Sequence, residues 1–363
     1  MTTQAEPVIL EKFYHPLDEL NYLVESSFYL DTKFFILVDE NTYQHCLPIL
    51  LEQVQTLRRA IIIKIESGEQ NKTIETCIKI WEELAAHHAD NTALFFNLGG
   101  GVICDIGGFV SATYKRGMHF INIPTTLTAM ADASIGGKTG IDFNSIKNMI
   151  GLFAQPMSVY VHPPFLKTLD KRQVMSGFAE LLKHGLIADI NYWESLVDMK
   201  DPMNEDLTYL INHSIKIKQE IVNEDLMDKG KRHILNFGHT IGHALESFSM
   251  KQNEFPITHG EAVATGMIME ACLSNHLGRL PKHDVHIIKE GIVSHFGKPY
   301  MINKSNIPEL MELMSHDKKI HHGKFSLPVL NSIGQTPSII SIHRSSIETA
   351  LKEYLLLQQE FTN

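Results

Sequence analysis

The stretch Ala93-Leu94-Phe95-Phe96-Asn97-Leu98-Gly99-Gly100-Gly101-Val102-Ile103-Cys104-Asp105-Ile106-Gly107-Gly108 decides the fold. A short apolar run of strand character ends in three successive glycines and passes directly into a helical pattern. Strand, glycine turn and helix in that order open a βαβ unit. Glycine lets backbone approach a diphosphate closely, and the amino end of a helix favours its negative charge. The spacing is not G-x-G-x-x-G, so the ordinary dinucleotide fingerprint is unmet, and a plain strand-to-helix turn would read the same way.

Working outward, Phe34 to Val38, Ala60 to Ile65 and His119 to Ile123 repeat the strand character, with helical stretches between them. This alternation predicts a parallel sheet in an α/β, Rossmann-like domain. After about residue 170 the strand signals fade. Amphipathic stretches replace them at Val174 to Ile187, Asp206 to Asp225, Arg232 to Phe248, Gly260 to Leu277 and Ser345 to Gln359. The second half therefore reads as mainly α-helical, with one late strand at Phe325 to Leu330. The prolines between Gln155 and Pro164 mark a hinge, because proline breaks helix interiors. Two domains, 1–165 and 166–363, are expected.

Composition narrows the function classes. A chain of 363 residues with 44% hydrophobic content can bury a sizeable core. A formal net charge of −10 disfavours a nucleic-acid surface. Cys46, Cys77, Cys104 and Cys272 are scattered without a C-x-x-C pair, so small buried side chains are expected in place of disulfides or a thiolate metal site. No apolar run approaches a membrane span and no signal pattern opens the chain, so a cytoplasmic location is the expectation.

A second region carries chemistry. In Leu235-Asn236-Phe237-Gly238-His239-Thr240-Ile241-Gly242-His243-Ala244-Leu245-Glu246, two imidazoles stand four residues apart in a helical pattern and point to one side. Asn236, three residues earlier, is expected to join that stripe. Neutral imidazole is a common ligand for a divalent metal, and a third ligand would complete a site with one position open. Glu180 and His259 are the candidates. The chain holds 20 histidines, so coincidence is a real competitor, but Asn236, Arg232 and Glu246 crowd polar groups into an otherwise buried helix.

Cations complete the picture. Asp132-Ala133-Ser134-Ile135-Gly136-Gly137-Lys138-Thr139-Gly140 contains Gly-Lys-Thr, yet Asp132 stands where a P-loop needs glycine. Lys138 is better read as a point charge facing an anion, with Lys147, Asn148 and Arg116 nearby in sequence. Each alone is an ordinary surface charge. Together with Lys183, Lys218, Arg232 and Lys324 they exceed what a neutral alcohol needs. A metal, a dinucleotide and many cations in an acidic protein point to a multiply anionic small substrate and redox chemistry at an alcohol.

The glycine loop, Ile123-Pro124-Thr125-Thr126-Leu127, Asp132 to Asp142, Lys147-Asn148, Phe178 to Lys183, Asn236 to Glu246 and His259-Gly260-Glu261 together resemble the 3-dehydroquinate synthases, in order from about residue 30 to 335. The resemblance implies a Rossmann-like NAD domain, a helical metal domain, a homodimer and a sugar phosphate substrate, 3-deoxy-D-arabino-heptulosonate 7-phosphate. It implies zinc or cobalt on Glu180, His239 and His259, and moves His243 to the substrate, against the spacing reading. Asp132, Lys138, Asn148, Lys183, Lys218, Arg232, Asn236 and Lys324 would line the substrate pocket, and Arg116 would reach the substrate phosphate of the partner. For NAD it implicates Asp39, Glu69, Lys72, Gly100, Gly101, Val102, Asp105, Thr125, Thr126, Lys138, Lys147 and Thr168.

The chain departs from that pattern at Cys104-Asp105-Ile106-Gly107-Gly108, where Asp105 is kept, and at Leu226 and Asp228, where the family usually shows acids and a longer Glu. The rivals are a cyclase acting on sedoheptulose 7-phosphate or glucose 6-phosphate, a polyol dehydrogenase resembling glycerol dehydrogenase, and a silent binding protein. His321-His322 reads as a solvated loop.

Overall fold

A computed structural model describes residues 17–26, 29, 31–144, 146–252, 254–315, 320–321 and 324–361; His322 lies outside them, as does the side chain of His321. The chain forms two compact units, residues 1–168 and 169–363.

In the first unit, β1 (Phe34–Val38), β2 (Ile61–Lys64), β3 (Leu94–Gly99), β4 (His119–Pro124) and a short strand at Ser158–Val159 make a five-stranded sheet. Every pairing in it is parallel. All residues of β1 and β3 are buried, which explains their nearly continuous apolar runs, interrupted in β3 by Asn97, in place of alternation. The helices Ile74–Ala86 and Gly101–Thr113 supply Cys77, Ile80, Leu84, Ile103, Ile106 and Val110 to a core shared with Phe35, Phe95 and Phe120.

The proline stretch leads from the edge strand Ser158–Val159, hydrogen-bonded to β4, toward the boundary of the first unit at Thr168. One expectation is corrected here. The glycine-lysine stretch read as a loop ends in an antiparallel hairpin, β5 (Lys138–Phe143) and β6 (Ile146–Phe153). Gly136 and Gly137 take left-handed φ values of 94° and 67° to enter it, a conformation that costs glycine little.

The second unit is mainly helical. The helix His259–His276 is buried on nearly every side and packs against Lys171–Ala188, His239–Gln252, Lys282–Phe296 and Arg344–Leu357. The stretch Gly260 to Leu277, read as amphipathic, is corrected here: the helix is buried all round, so its apolar residues do not keep to one face. The late strand Phe325 to Leu330 is realised as Lys324–Val329, the middle strand of a three-stranded antiparallel sheet. It is largely buried.

The stretch Arg232 to Phe248 is not one helix. A 3-10 turn, Lys231–Asn236, is followed by a break at Gly238, φ 80°, and then by the helix His239–Gln252. Asn236 therefore stands in the turn before the helix that carries His239 and His243 and does not share its stripe. A Cβ at Gly266 would lie 2.1 Å from the Gly238 carbonyl oxygen, so the two helices cross at this break through glycine on both sides.

Candidate active site

The helix Lys171–Ala188 carries Glu180 and Lys183 one turn apart, both buried. Glu180 Oε2 accepts from Lys183 Nζ at 2.5 Å, while Oε1 lies 3.2 Å from His239 Nε2 and 3.5 Å from His259 Nε2. His243 joins them, with ring centroids 5.4 Å from His239 and 5.6 Å from His259. The ligand atoms of the three imidazoles lie within 4.8 Å of one another. Spacing on the helix His239–Gln252 brings His239 and His243 to one side as expected; His259 comes from the first turn of the neighbouring helix.

The far nitrogens of two rings are engaged elsewhere. His239 Nδ1 donates to the Phe237 carbonyl at 3.2 Å, and His259 Nδ1 donates to Glu246 Oε2 at 3.2 Å. These bonds orient each ring with Nε2 toward Glu180, and loss of the Nε2 proton would leave there the lone pair a metal requires. Burial opposes ionisation of Glu180, but Lys183, His239 and His259 together hold its carboxyl well below the usual carboxylate range. Burial pushes His239 below the ordinary imidazole value, which Glu180 only partly offsets. One anionic oxygen and converging imidazole nitrogens form a donor set that fits zinc or cobalt.

Two acids hold this arrangement from outside. Glu270, fully buried, accepts from the Gly238 N–H at 2.8 Å and the Ile241 N–H at 3.3 Å, satisfying donors at the start of the helix that carries His239 and His243. Glu261, part of the matched His-Gly-Glu motif, closes a capping box with Thr258 and pairs with Arg172, fixing the turn that bears His259. Sequence reasoning missed Glu270, since nothing local links it to Gly238.

The remaining polar candidates of this unit are spread around it. Lys218 is buried on the helix Thr208–Glu224, and Arg232 is buried in the 3-10 turn, with Nη1 donating to the Leu226 carbonyl at 3.3 Å. Because a main-chain oxygen makes that contact, Leu226 can serve there without an acidic side chain. Asp225 organises the loop, accepting from the backbone N–H of Lys229, Gly230 and Arg232 at 2.9, 2.8 and 3.1 Å. Asp228 adopts φ 53° and its carbonyl meets His233 Nε2 at 3.0 Å. Asn236 Nδ2 donates to the His233 carbonyl. Lys324 is exposed at the start of its strand.

In the first unit, Gly100 caps the helix Gly101–Thr113, which begins beside Val102 and Asp105. A Cβ at Gly100 would lie 3.0 Å from Thr126 Cγ2, so this glycine and the Thr125-Thr126 turn approach closely. Lys72, buried, donates to Asp105 Oδ2 at 2.6 Å and Asn148 Oδ1 at 2.5 Å, with Glu69 at 3.8 Å. Burial disfavours its charge, but Asp105 and Glu69 outweigh that and raise its pKa. Glu69, Lys72, Asp105 and Asn148 thus form one cluster. Asp39 caps the short helix after β1 through the Thr42 N–H, and Thr168 lies exposed in the 3-10 turn Pro163–Thr168. Asp132 occupies a π-helical turn, Ala129–Ala133. Lys138 and Lys147 are exposed on the hairpin, and Arg116 is exposed with φ 70°.

Beneath the glycine loop, Asn97 Nδ2 donates to Asn122 Oδ1 at 2.8 Å, and Asn122 Nδ2 donates to the Ser134 carbonyl at 3.1 Å. This buried amide chain links β3, β4 and the turn that carries Asp132.

A parallel-sheet unit with a glycine-capped helix and a helical unit with a carboxylate-histidine cluster define a class, the fold shared by sugar phosphate cyclases. A solved 2-deoxy-scyllo-inosose synthase, complexed with carbaglucose-6-phosphate, NAD+ and Co2+, is 25% identical with a TM-score of 0.78, covering 94% of this chain and 95% of that one. The 2-epi-5-epi-valiolone synthase of Streptomyces hygroscopicus subsp. jinggangensis 5008, with NAD+ and Zn2+ bound, has the same fold at a TM-score of 0.75 and 23% identity, covering 99% of each chain. Residues 62–176 match the model of the 3-dehydroquinate synthase N-terminal region and residues 177–320 that of its C-terminal region. The 3-dehydroquinate synthase of Parabacteroides distasonis is 42% identical over 328 residues, 89% of this chain and 91% of the relative. The chain belongs to the 3-dehydroquinate synthase family.

Proposed function

We propose that the protein converts 3-deoxy-D-arabino-heptulosonate 7-phosphate to 3-dehydroquinate and phosphate, with NAD and zinc or cobalt as cofactors. The observation that carries this reading is the Glu180, His239 and His259 cluster with Lys183 beside it, in a chain whose family match covers both units. The metal would be held by Glu180, His239 and His259; NAD would lie over the glycine-capped helix, with Asp39, Glu69, Lys72, Gly100, Gly101, Val102, Asp105, Thr125, Thr126, Lys138, Lys147 and Thr168 around it. When bound, the two supply a Lewis acid for vicinal substrate oxygens and a reversible hydride acceptor, which acidifies the neighbouring C–H so that phosphate can leave.

The chain's own residues orient and compensate charge. Lys183 fixes one oxygen of Glu180 and leaves the other for ligation. Lys218, Arg232 and Lys324 supply cations for the substrate carboxylate and phosphate, and Asn236 supplies an amide. His243, on the metal-bearing helix and exposed, is positioned to exchange a proton with a substrate hydroxyl. We extend substrate roles to Asp132, Lys138, Asn148 and Arg116 from the family pattern, with Arg116 acting in the partner subunit of a homodimer. Four free, buried cysteines support a reducing, cytoplasmic setting. No helix among the described residues is long and apolar enough to cross a membrane.

The test is phosphate release from that heptulosonate phosphate by protein supplied with zinc and substoichiometric NAD, while NADH absorbance is followed. Many phosphates per NAD without NADH accumulation are expected. Stoichiometric NADH instead would favour a polyol dehydrogenase; release only from sedoheptulose 7-phosphate would favour another cyclase.

A further inference from the structure

Glu246 lies seven residues after His239 on the same helix, so His239, His243 and Glu246 form one stripe at i, i+4 and i+7. Its side chain is buried, with 6% exposure, and its Oε2 accepts from His259 Nδ1 at 3.2 Å. The equivalent nitrogen of His239 meets only a main-chain carbonyl, that of Phe237. The two imidazoles that face Glu180 are thus backed differently, one by a neutral acceptor and one by a carboxylate. A carboxylate behind an imidazole fixes the ring's orientation and tautomer and makes the opposite nitrogen a stronger donor.

We infer that Glu246 is a positioning residue for the metal: it holds His259 with Nε2 turned to the ion and makes His259 the more strongly donating of the two imidazole ligands. The inference rests on the metal reading above and deepens it. It also explains why an acid is buried on a helix whose outer residues do not need one, since buried charge persists where it is partnered.

The experiment measures zinc affinity of the purified metal-free protein by chelator competition, for wild type, Glu246→Gln and Glu246→Ala. The glutamine keeps a neutral acceptor in the same volume; the alanine removes it. Glu246→Ala is expected to weaken zinc binding by about 10- to 100-fold, with Glu246→Gln between it and wild type. The visible absorption of the cobalt-loaded protein should shift in the same order, a signature that a purely structural role would not produce. Wild-type zinc affinity in Glu246→Ala overturns the inference, as does wild-type affinity in Glu246→Gln if the alanine variant does not fold. Failure of the wild-type protein to bind zinc overturns the metal reading itself, and so is distinguishable.

Discussion

Lys183 Nζ stands 2.5 Å from Glu180 Oε2, one helical turn apart, with side-chain exposures of 1% and 2%. In the metal-free protein this ammonium is a principal compensating charge for a buried carboxylate. Lys183→Met should therefore destabilise the metal-free protein by about 3–5 kcal/mol, the range for breaking a buried pair by removing one partner. Zinc supplies positive charge at the other oxygen, so its addition should recover part of that loss. Urea unfolding with and without zinc checks both statements; an equal loss in the two conditions would separate Lys183 from the metal site.

The second prediction concerns Lys72 and Asp105. Lys72 is buried between Asp105, Asn148 and Glu69, so its ammonium joins the strand-to-helix turn to the hairpin. Asp105→Asn should weaken NAD binding by about 10- to 100-fold, the worth of a charged hydrogen bond, with zinc affinity unchanged. Titration of NAD by calorimetry measures it. Unchanged affinity would remove Asp105 from the cofactor's surroundings.

Gly107 gives a third. A Cβ there would fall 1.8 Å from Asn97 Oδ1, and Asn97 is held by Asn122. Gly107→Ala must push the helix away from β3 or break the amide chain, at a cost of about 1–3 kcal/mol for overpacking. Because the helix displaced is the one that Gly100 caps and that carries Val102 and Asp105, NAD affinity should fall alongside the unfolding midpoint. A variant with wild-type midpoint and affinity would show that the helix shifts without consequence.

How much of this was legible follows from range. β1 and β3 could be read because buried parallel strands leave nearly continuous apolar runs, and His239 with His243 because helical spacing is local. The break at Gly238 was hidden, since apolar residues continue across it at Leu235, Phe237 and Ile241. The hairpin β5–β6 was hidden for a related reason: its exposed positions give no apolar alternation, and its register is interrupted between Ile141 and Phe143. Glu270 lies 32 residues from the N–H it accepts, and no local pattern encodes such a contact.

Asp225 offers a pH test. Burial opposes its ionisation, but backbone N–H groups of Lys229, Arg232 and Gly230 hold its carboxyl below the ordinary value. A lowered folded-state pKa contributes stability that is present above the unfolded value, about 3.9, and is lost as pH falls through the folded one. The stability difference between wild type and Asp225→Asn should therefore be constant above about pH 5 and shrink below about pH 4. At neutral pH the variant should raise KM for the sugar phosphate more than it lowers kcat, because the loop presents Arg232. A pH series of urea unfolding with steady-state kinetics decides this; a difference that grows on acidification would be the wrong sign.

The last prediction separates the three imidazoles. Glu180 Oε1 faces His239 and His259, and both rings have their outer nitrogen engaged, whereas His243 is exposed on the same helix. A ligand set of Glu180, His239 and His259 leaves His243 for proton exchange with the substrate. His239→Ala should lose zinc and turnover together. His243→Ala should retain stoichiometric zinc while turnover falls by about 100- to 10,000-fold, the usual worth of a positioned acid or base. Metal analysis of the two purified variants, alongside phosphate release, distinguishes the roles. If His243→Ala emerged empty of zinc while His259→Ala kept it, the spacing of the two helical histidines would be the better guide, and His259 would be reassigned to the substrate.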